Sequence, residues 1–135
     1  MWGNQTASMK LGMFEDACKQ ILGERDTINI IQLRRKLIKE ERIEADQALI
    51  DLMNANEFGA DKATITRLRG EVLKELCDVV YVAIGAAVAM GMDFDVAFNR
   101  VHANNMLKLD DPHIRADGKL EKPPGHEVVD LKDLV

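Results

Sequence analysis

Residues 54–63 read NANEFGADKA, and this short stretch decides the architecture. It is the turn-like segment in an otherwise helical half of the chain. Before it stands EERIE (40–44) and after it ELCD (75–78). Glu41 and Glu44 are three residues apart, as are Glu75 and Asp78. Each pair therefore places two carboxylates on one helical face. The midpoint of Glu44 and Glu75 and that of Glu41 and Asp78 coincide between Gly59 and Ala60. An antiparallel helical hairpin then sets Glu44 opposite Glu75 and Glu41 opposite Asp78. Carboxylates at one level repel: two like charges ~5 Å apart cost about 3 kcal/mol at an effective dielectric of about 20. A cation is expected among them. Hard oxygen ligands favour Mg²⁺, with Mn²⁺ as a substitute.

Outward from the hairpin, helical periodicity extends over residues 28–53, and a following helix starts at Thr64 or Thr66 and continues to Gly91. An earlier helix covers residues 7–22, closed by Gly23, with Asp26 or Thr27 capping its successor. A fourth, capped by Asp93, carries DVAFNRVHANNMLKL and ends before Pro112. Beyond residue 109 the pattern changes to turn signals, Asp117-Gly118 and Pro123-Pro124-Gly125, which read as an ordered arm or lid. The expectation is one all-α domain over residues 1–135, a four-helix bundle-like body (1–109) with an irregular C-terminal arm (110–135). All three prolines lie in that arm, so none interrupts the helices. The small residues Ala83, Gly85, Ala86, Ala87 and Ala89 permit another helix, internal or from a second subunit, to approach closely.

Composition narrows the function. With 47% hydrophobic and 30% charged residues the chain is globular rather than disordered. A net charge of −5 argues against a nucleic-acid polymer as partner, because phosphate neutralisation needs a basic face. The apolar run at 79–90 is shorter than the ~20 residues a membrane crossing requires, and MWGNQTASMK lacks the apolar core of a signal peptide. Cys18 and Cys77 have no metal-binding spacing and read as reduced, buried thiols. A cytoplasmic location is the expectation.

The acidic site has a structural alternative, since EERIE beside Lys36, Lys39 and Arg42 can be a solvated face. Asp78 opposes that reading: it opens the apolar segment VVYVAIGAAVAM, where an unpaired carboxylate is costly. A di-iron site of the Glu-x-x-His kind is disfavoured, because none of His102, His113 and His126 follows a Glu at that spacing. Arg100, Asn104, Asn105 and Lys108 lie along the fourth helix, and Lys119 and Lys122 flank the turn in the arm. As a set they suit a polyphosphate whose charge the metals offset only in part.

EERIE, ELCDVVYVAIGAAVAMGMD, VHANNMLKL, DGKLEKPPG and VVDL, in that order, resemble the MazG-like all-alpha nucleoside triphosphate pyrophosphohydrolases. The resemblance covers residues 33–131, and residues 1–30 match weakly. It implies Mg²⁺ ligation by Glu41, Glu44, Glu75 and Asp78, with Glu40 a further acidic neighbour. It implies phosphate or nucleotide contacts from Asn105 and Lys108, in Asn-Met-Leu-Lys, and from Lys122 before Pro-Pro-Gly. Hydrolysis of a (deoxy)nucleoside triphosphate to the monophosphate and pyrophosphate, with attack at the α-phosphorus, is likewise an implication of the resemblance. Glu41 or Glu44 would take the proton of the attacking water, while Lys108, Lys122 and Arg100 hold the β and γ phosphates. A homodimer or homotetramer is implied as well. Phosphoribosyl-ATP pyrophosphohydrolase, which shares the architecture and metal logic, is the enzymatic alternative. A non-catalytic helical nucleotide-binding or interaction module is the alternative from another class. Tyr81 reads as a core residue or a family aromatic, and Trp2 as a base-stacking candidate.

Overall fold

A computed structural model describes residues 3–135. Trp2 lies outside the described residues. The fold is all-α and bundle-like, with four α-helices and a minimal two-stranded ribbon among the described residues. Two compact units divide it, Met1–Met90 and Gly91–Val135.

The first unit holds α1 (Ala7–Leu22), α2 (Thr27–Glu57) and α3 (Lys62–Ala89). Each start is capped as short polar side chains dictate. Thr6 accepts from the Met9 N–H, Asp26 from Asn29 and Asp61 from Thr64. Both α2 and α3 reach closer to the connecting turn than the sequence pattern suggests. The Asn56 side chain donates to the Leu52 carbonyl and Phe58 N–H to the Asn54 carbonyl, so the asparagines prolong α2 instead of ending it. Asp61, rather than a threonine, then opens α3. Gly59 turns the chain at φ 70°, a left-handed conformation that side-chain-bearing residues rarely adopt.

Packing follows the apolar stripes. Ala45 of α2 and Leu68 and Val72 of α3 are buried in the contact between the hairpin's two helices. Leu11 of α1 packs on the far half of α3, where Ile84, Gly85 and Ala86 are buried. A β-carbon at Gly85 would lie 3.1 Å from Arg34 Nη1 and 3.3 Å from Leu11 Cδ1. The small-residue stretch of α3 thus serves an internal crossing with α1 and α2. At that crossing the carboxylate of Glu15, itself buried, meets the Arg34 guanidinium at 2.5 Å. Among the described residues, neither Glu15 Oε1 nor Arg34 Nε has a hydrogen-bond partner.

The second unit is α4 (Phe94–Met106), a 3₁₀ turn (Leu107–Leu109), a ribbon of β1 (His113–Ile114) with β2 (Leu120–Glu121), and a terminal 3₁₀ turn (Lys132–Leu134). The strands pair antiparallel, His113 with Glu121 and Ile114 with Leu120, around Gly118 at φ 88°. The chain end returns along α4. Asp93 N–H donates to the Leu134 carbonyl, Asn104 to the Glu127 carbonyl, and the His126 ring lies 3.1 Å from Asn104 Oδ1. The arm is therefore knitted to the fourth helix by named hydrogen bonds.

Candidate active site

The core-facing stripes of α2 and α3 end in acids. On α2, Glu41 lies one turn before buried Ala45, and on α3, Glu75 lies one turn after buried Val72. Helix geometry thus aims both carboxylates at the seam where the two helices meet. Asp78, one turn further along α3, joins them. Ligand oxygens of Glu41, Glu75 and Asp78 lie within 4.8 Å of one another, and all three residues are half-buried. Glu44 does not enter this group. Its side chain is exposed, off the buried stripe, yet near enough that its charge is felt at Glu41. The expected level of four opposed carboxylates is thus a cluster of three with a fourth at its rim.

The electrostatics show the strain of gathering these charges. Glu41 is pushed above the usual glutamate range, first by desolvation and then by the carboxylates of Glu44, Asp78 and Glu75, with Lys74 opposing them. Glu75 Oε2 is buried and has no hydrogen-bond partner among the described residues. Its other oxygen accepts from Lys74 Nζ at 3.0 Å, and Asp78 Oδ2 accepts from the same ammonium at 2.9 Å. Those two acceptors hold Lys74 above the ordinary lysine range. Three gathered carboxylates, one of them with a buried oxygen left unpartnered, are what an oxygen-ligated divalent cation needs. The donor set fits one.

Beside the acids, Tyr81 of α3 meets Phe14 of α1 edge-on, with ring centroids 5.7 Å apart. Tyr81 is partly exposed rather than a buried core residue. Phe14 also borders a cavity of about 300 Å³ between α1, α2 and the end of α3. Leu33, Leu37 and Leu22 make its apolar walls, and Glu15 with Arg34 its polar side. Leu37, at one edge of the cavity, lies one turn, ~6 Å of helical rise, before Glu41 on α2, and none of the three acids lines the cavity.

The cationic and amide candidates belong to the second unit. The Arg100 guanidinium is engaged in a two-pronged pair with Asp133, at 2.6 and 2.7 Å, and donates to the Asp130 carbonyl. Its observed task is to hold the chain terminus. Asn105 is exposed near the end of α4, Lys108 lies half-buried in the 3₁₀ turn, and Lys122 is exposed just past β2.

Residues 22–105, more than half of the chain, match the family model described as phosphoribosyl-ATP pyrophosphohydrolase. The chain belongs to that family. No curated protein matches it. The phosphoribosyl-ATP pyrophosphohydrolase match runs from the last residue of α1 almost to the end of α4. It includes Glu41, Glu44, Glu75, Asp78, Arg100 and Asn105, whereas Lys108 and Lys122 lie beyond it. The family name describes hydrolysis of a phosphoric anhydride, the chemistry for which clustered carboxylates and a divalent cation are suited.

Two features of the site escaped the sequence reading. Lys74 carried a visible signal, because it stands four residues before Asp78 on one helical face. Glu15 and Arg34 carried none: each looks like an ordinary helix-surface charge until the helices cross.

Proposed function

We propose that the protein is a MazG-like, metal-dependent pyrophosphohydrolase that splits a nucleoside triphosphate into its monophosphate and pyrophosphate. The observation that carries this reading is the convergence of Glu41, Glu75 and Asp78 from two helices in a member of a pyrophosphohydrolase family. Glu41, Glu75 and Asp78 would hold Mg²⁺ or Mn²⁺, with Glu75 Oε2 the oxygen most in need of a cation. A divalent cation so held supplies positive charge to the phosphate oxygens during attack at phosphorus. Glu44, exposed and outside the trio, is the carboxylate left to accept the proton of the attacking water. The cavity lined by Phe14, Leu33 and Leu37 takes the nucleoside portion, with Leu37 at its edge one helical turn before Glu41. Asn105, Lys108 and Lys122 keep the phosphate-binding role that the resemblance implies, whereas Arg100, engaged with Asp133, is a weaker candidate.

A homodimer or homotetramer is part of the proposal. Only six hydrophobic residues are buried among those described, while Ile38, Leu73, Leu76 and Val80 on α2 and α3 stay exposed. That much uncovered apolar surface on two helices suits burial against further copies.

The family description favours a second reading, phosphoribosyl-ATP as the substrate. Both readings break the same anhydride and release pyrophosphate. A panel of nucleoside triphosphates and phosphoribosyl-ATP, each with Mg²⁺ and with Mn²⁺ and scored for pyrophosphate, separates them. Release of orthophosphate alone, or nucleotide binding without turnover, would refute the proposal, the latter in favour of a binding module.

A further inference from the structure

Lys74 has a position that neither the family membership nor the proposed chemistry uses. Its ammonium is shared between Glu75 Oε1 and Asp78 Oδ2, at 3.0 and 2.9 Å. These are two of the three residues whose oxygens gather within 4.8 Å, and among the described residues Lys74 is the cation paired with them. The rest of the side chain is a flexible stem, with 63% of the side chain exposed. Glu75, by contrast, is held at 16% exposure with one oxygen buried and unpartnered. Glu75 is the most confined of the three, Asp78 at 38% exposure is intermediate, and Lys74 is the most exposed.

A divalent cation on those oxygens would stand at about 2.0–2.6 Å from them. An ammonium about 3 Å from the same oxygens would then lie roughly 4–5 Å from the ion, where like charges repel. Glu75 Oε2 is free of the ammonium but Asp78 Oδ2 is not, so the two cations compete for Asp78. We infer that Lys74 is an exchangeable occupant of the acid cluster: it neutralises Glu75 and Asp78 in the metal-free protein and swings out when a divalent cation binds. Its stem keeps the released ammonium beside the acids, where the polyphosphate is the anion it meets. Lys74 is thus a positioning residue for the metal and a phosphate contact once displaced. The inference rests on the divalent site proposed above.

Mn²⁺ titration of the full chain tests it, comparing the wild type with Lys74→Met and Lys74→Arg by calorimetry and by the paramagnetic resonance of free Mn²⁺. Because both ion pairs are partly exposed, their loss corresponds to a several-fold effect. Lys74→Met binds Mn²⁺ about fivefold more tightly, and Lys74→Arg, which keeps the charge, stays near the wild type. At saturating Mn²⁺, Lys74→Met raises the KM for a nucleoside triphosphate. Equal or weaker Mn²⁺ binding by Lys74→Met overturns the exchange, and an unchanged KM overturns the phosphate contact. A wild type that binds no Mn²⁺ at all defeats the divalent site itself, a result distinct from either.

Discussion

Glu41 of α2 and Asp78 of α3 stand far apart in the chain yet bring carboxylate oxygens within 4.8 Å of each other, with Glu75 completing the group. Such a gathering is unfavourable without a cation. Replacing Asp78 by Asn or Glu75 by Gln removes a ligand and a repulsive charge together. Both variants are expected to lose pyrophosphate release by a factor of about 100 or more. Mn²⁺ affinity falls alongside, while the melting temperature in EDTA stays level or rises. An Asp78→Asn enzyme with full turnover would contradict the site.

Protonation offers a second handle. Glu41 is raised above its ordinary value of 4.5 by desolvation first and by the surrounding acids next. The folded metal-free protein therefore holds this proton more tightly than the unfolded chain does. Glu41's contribution to stability is complete below pH 4.5 and is lost as pH climbs through the raised value. Calorimetric melts in EDTA across that window should show a decline for the wild type that Glu41→Gln lacks. Mn²⁺ affinity moves the other way, rising as Glu41 deprotonates.

The buried pair of Arg34 with Glu15 supports the three-helix crossing. Arg34→Met leaves Glu15 charged and uncompensated, and urea unfolding is expected to show a loss of about 3–5 kcal/mol. The double change Arg34→Met with Glu15→Leu recovers most of it, since neither charge is then stranded. A single variant as stable as the wild type would mean that the pair is solvated in solution.

Leu33→Trp fills the cavity and leaves Glu41, Glu75 and Asp78, which do not line it, unchanged. If the nucleoside portion is seated there, KM for the preferred nucleotide rises about tenfold, equivalent to about 1.4 kcal/mol. Hydrolysis of inorganic tripolyphosphate, which has no base to accommodate, stays unchanged, and so does Mn²⁺ binding. Equal KM in the variant would move the nucleoside out of the cavity.

Local chemistry explains what could be read in advance. The caps at Asp26 and Asp93, the glycine stop at Gly23 and the turn at Gly59 involve neighbours within about four residues. The helix ends at Glu57 and Lys62 were less legible, because Asn54 and Asn56 suit either a turn or a last helical turn. Only the contacts with Leu52 and Phe58 decide between them.

The sequence by itself determined the all-α class, the hairpin and the pairing of EERIE with ELCD, since these follow from periodicity and from equal spacing about one turn. It did not determine that Glu44 would stay exposed while Glu41, Glu75 and Asp78 close up, which depends on the direction of each buried stripe. Nor did it disclose that Arg100 would be spent on Asp133, or that Glu15 and Arg34 would meet beneath Gly85. Those outcomes belong to the tertiary structure, because a charged side chain's partner is set by which helices cross and not by its own neighbours in the chain.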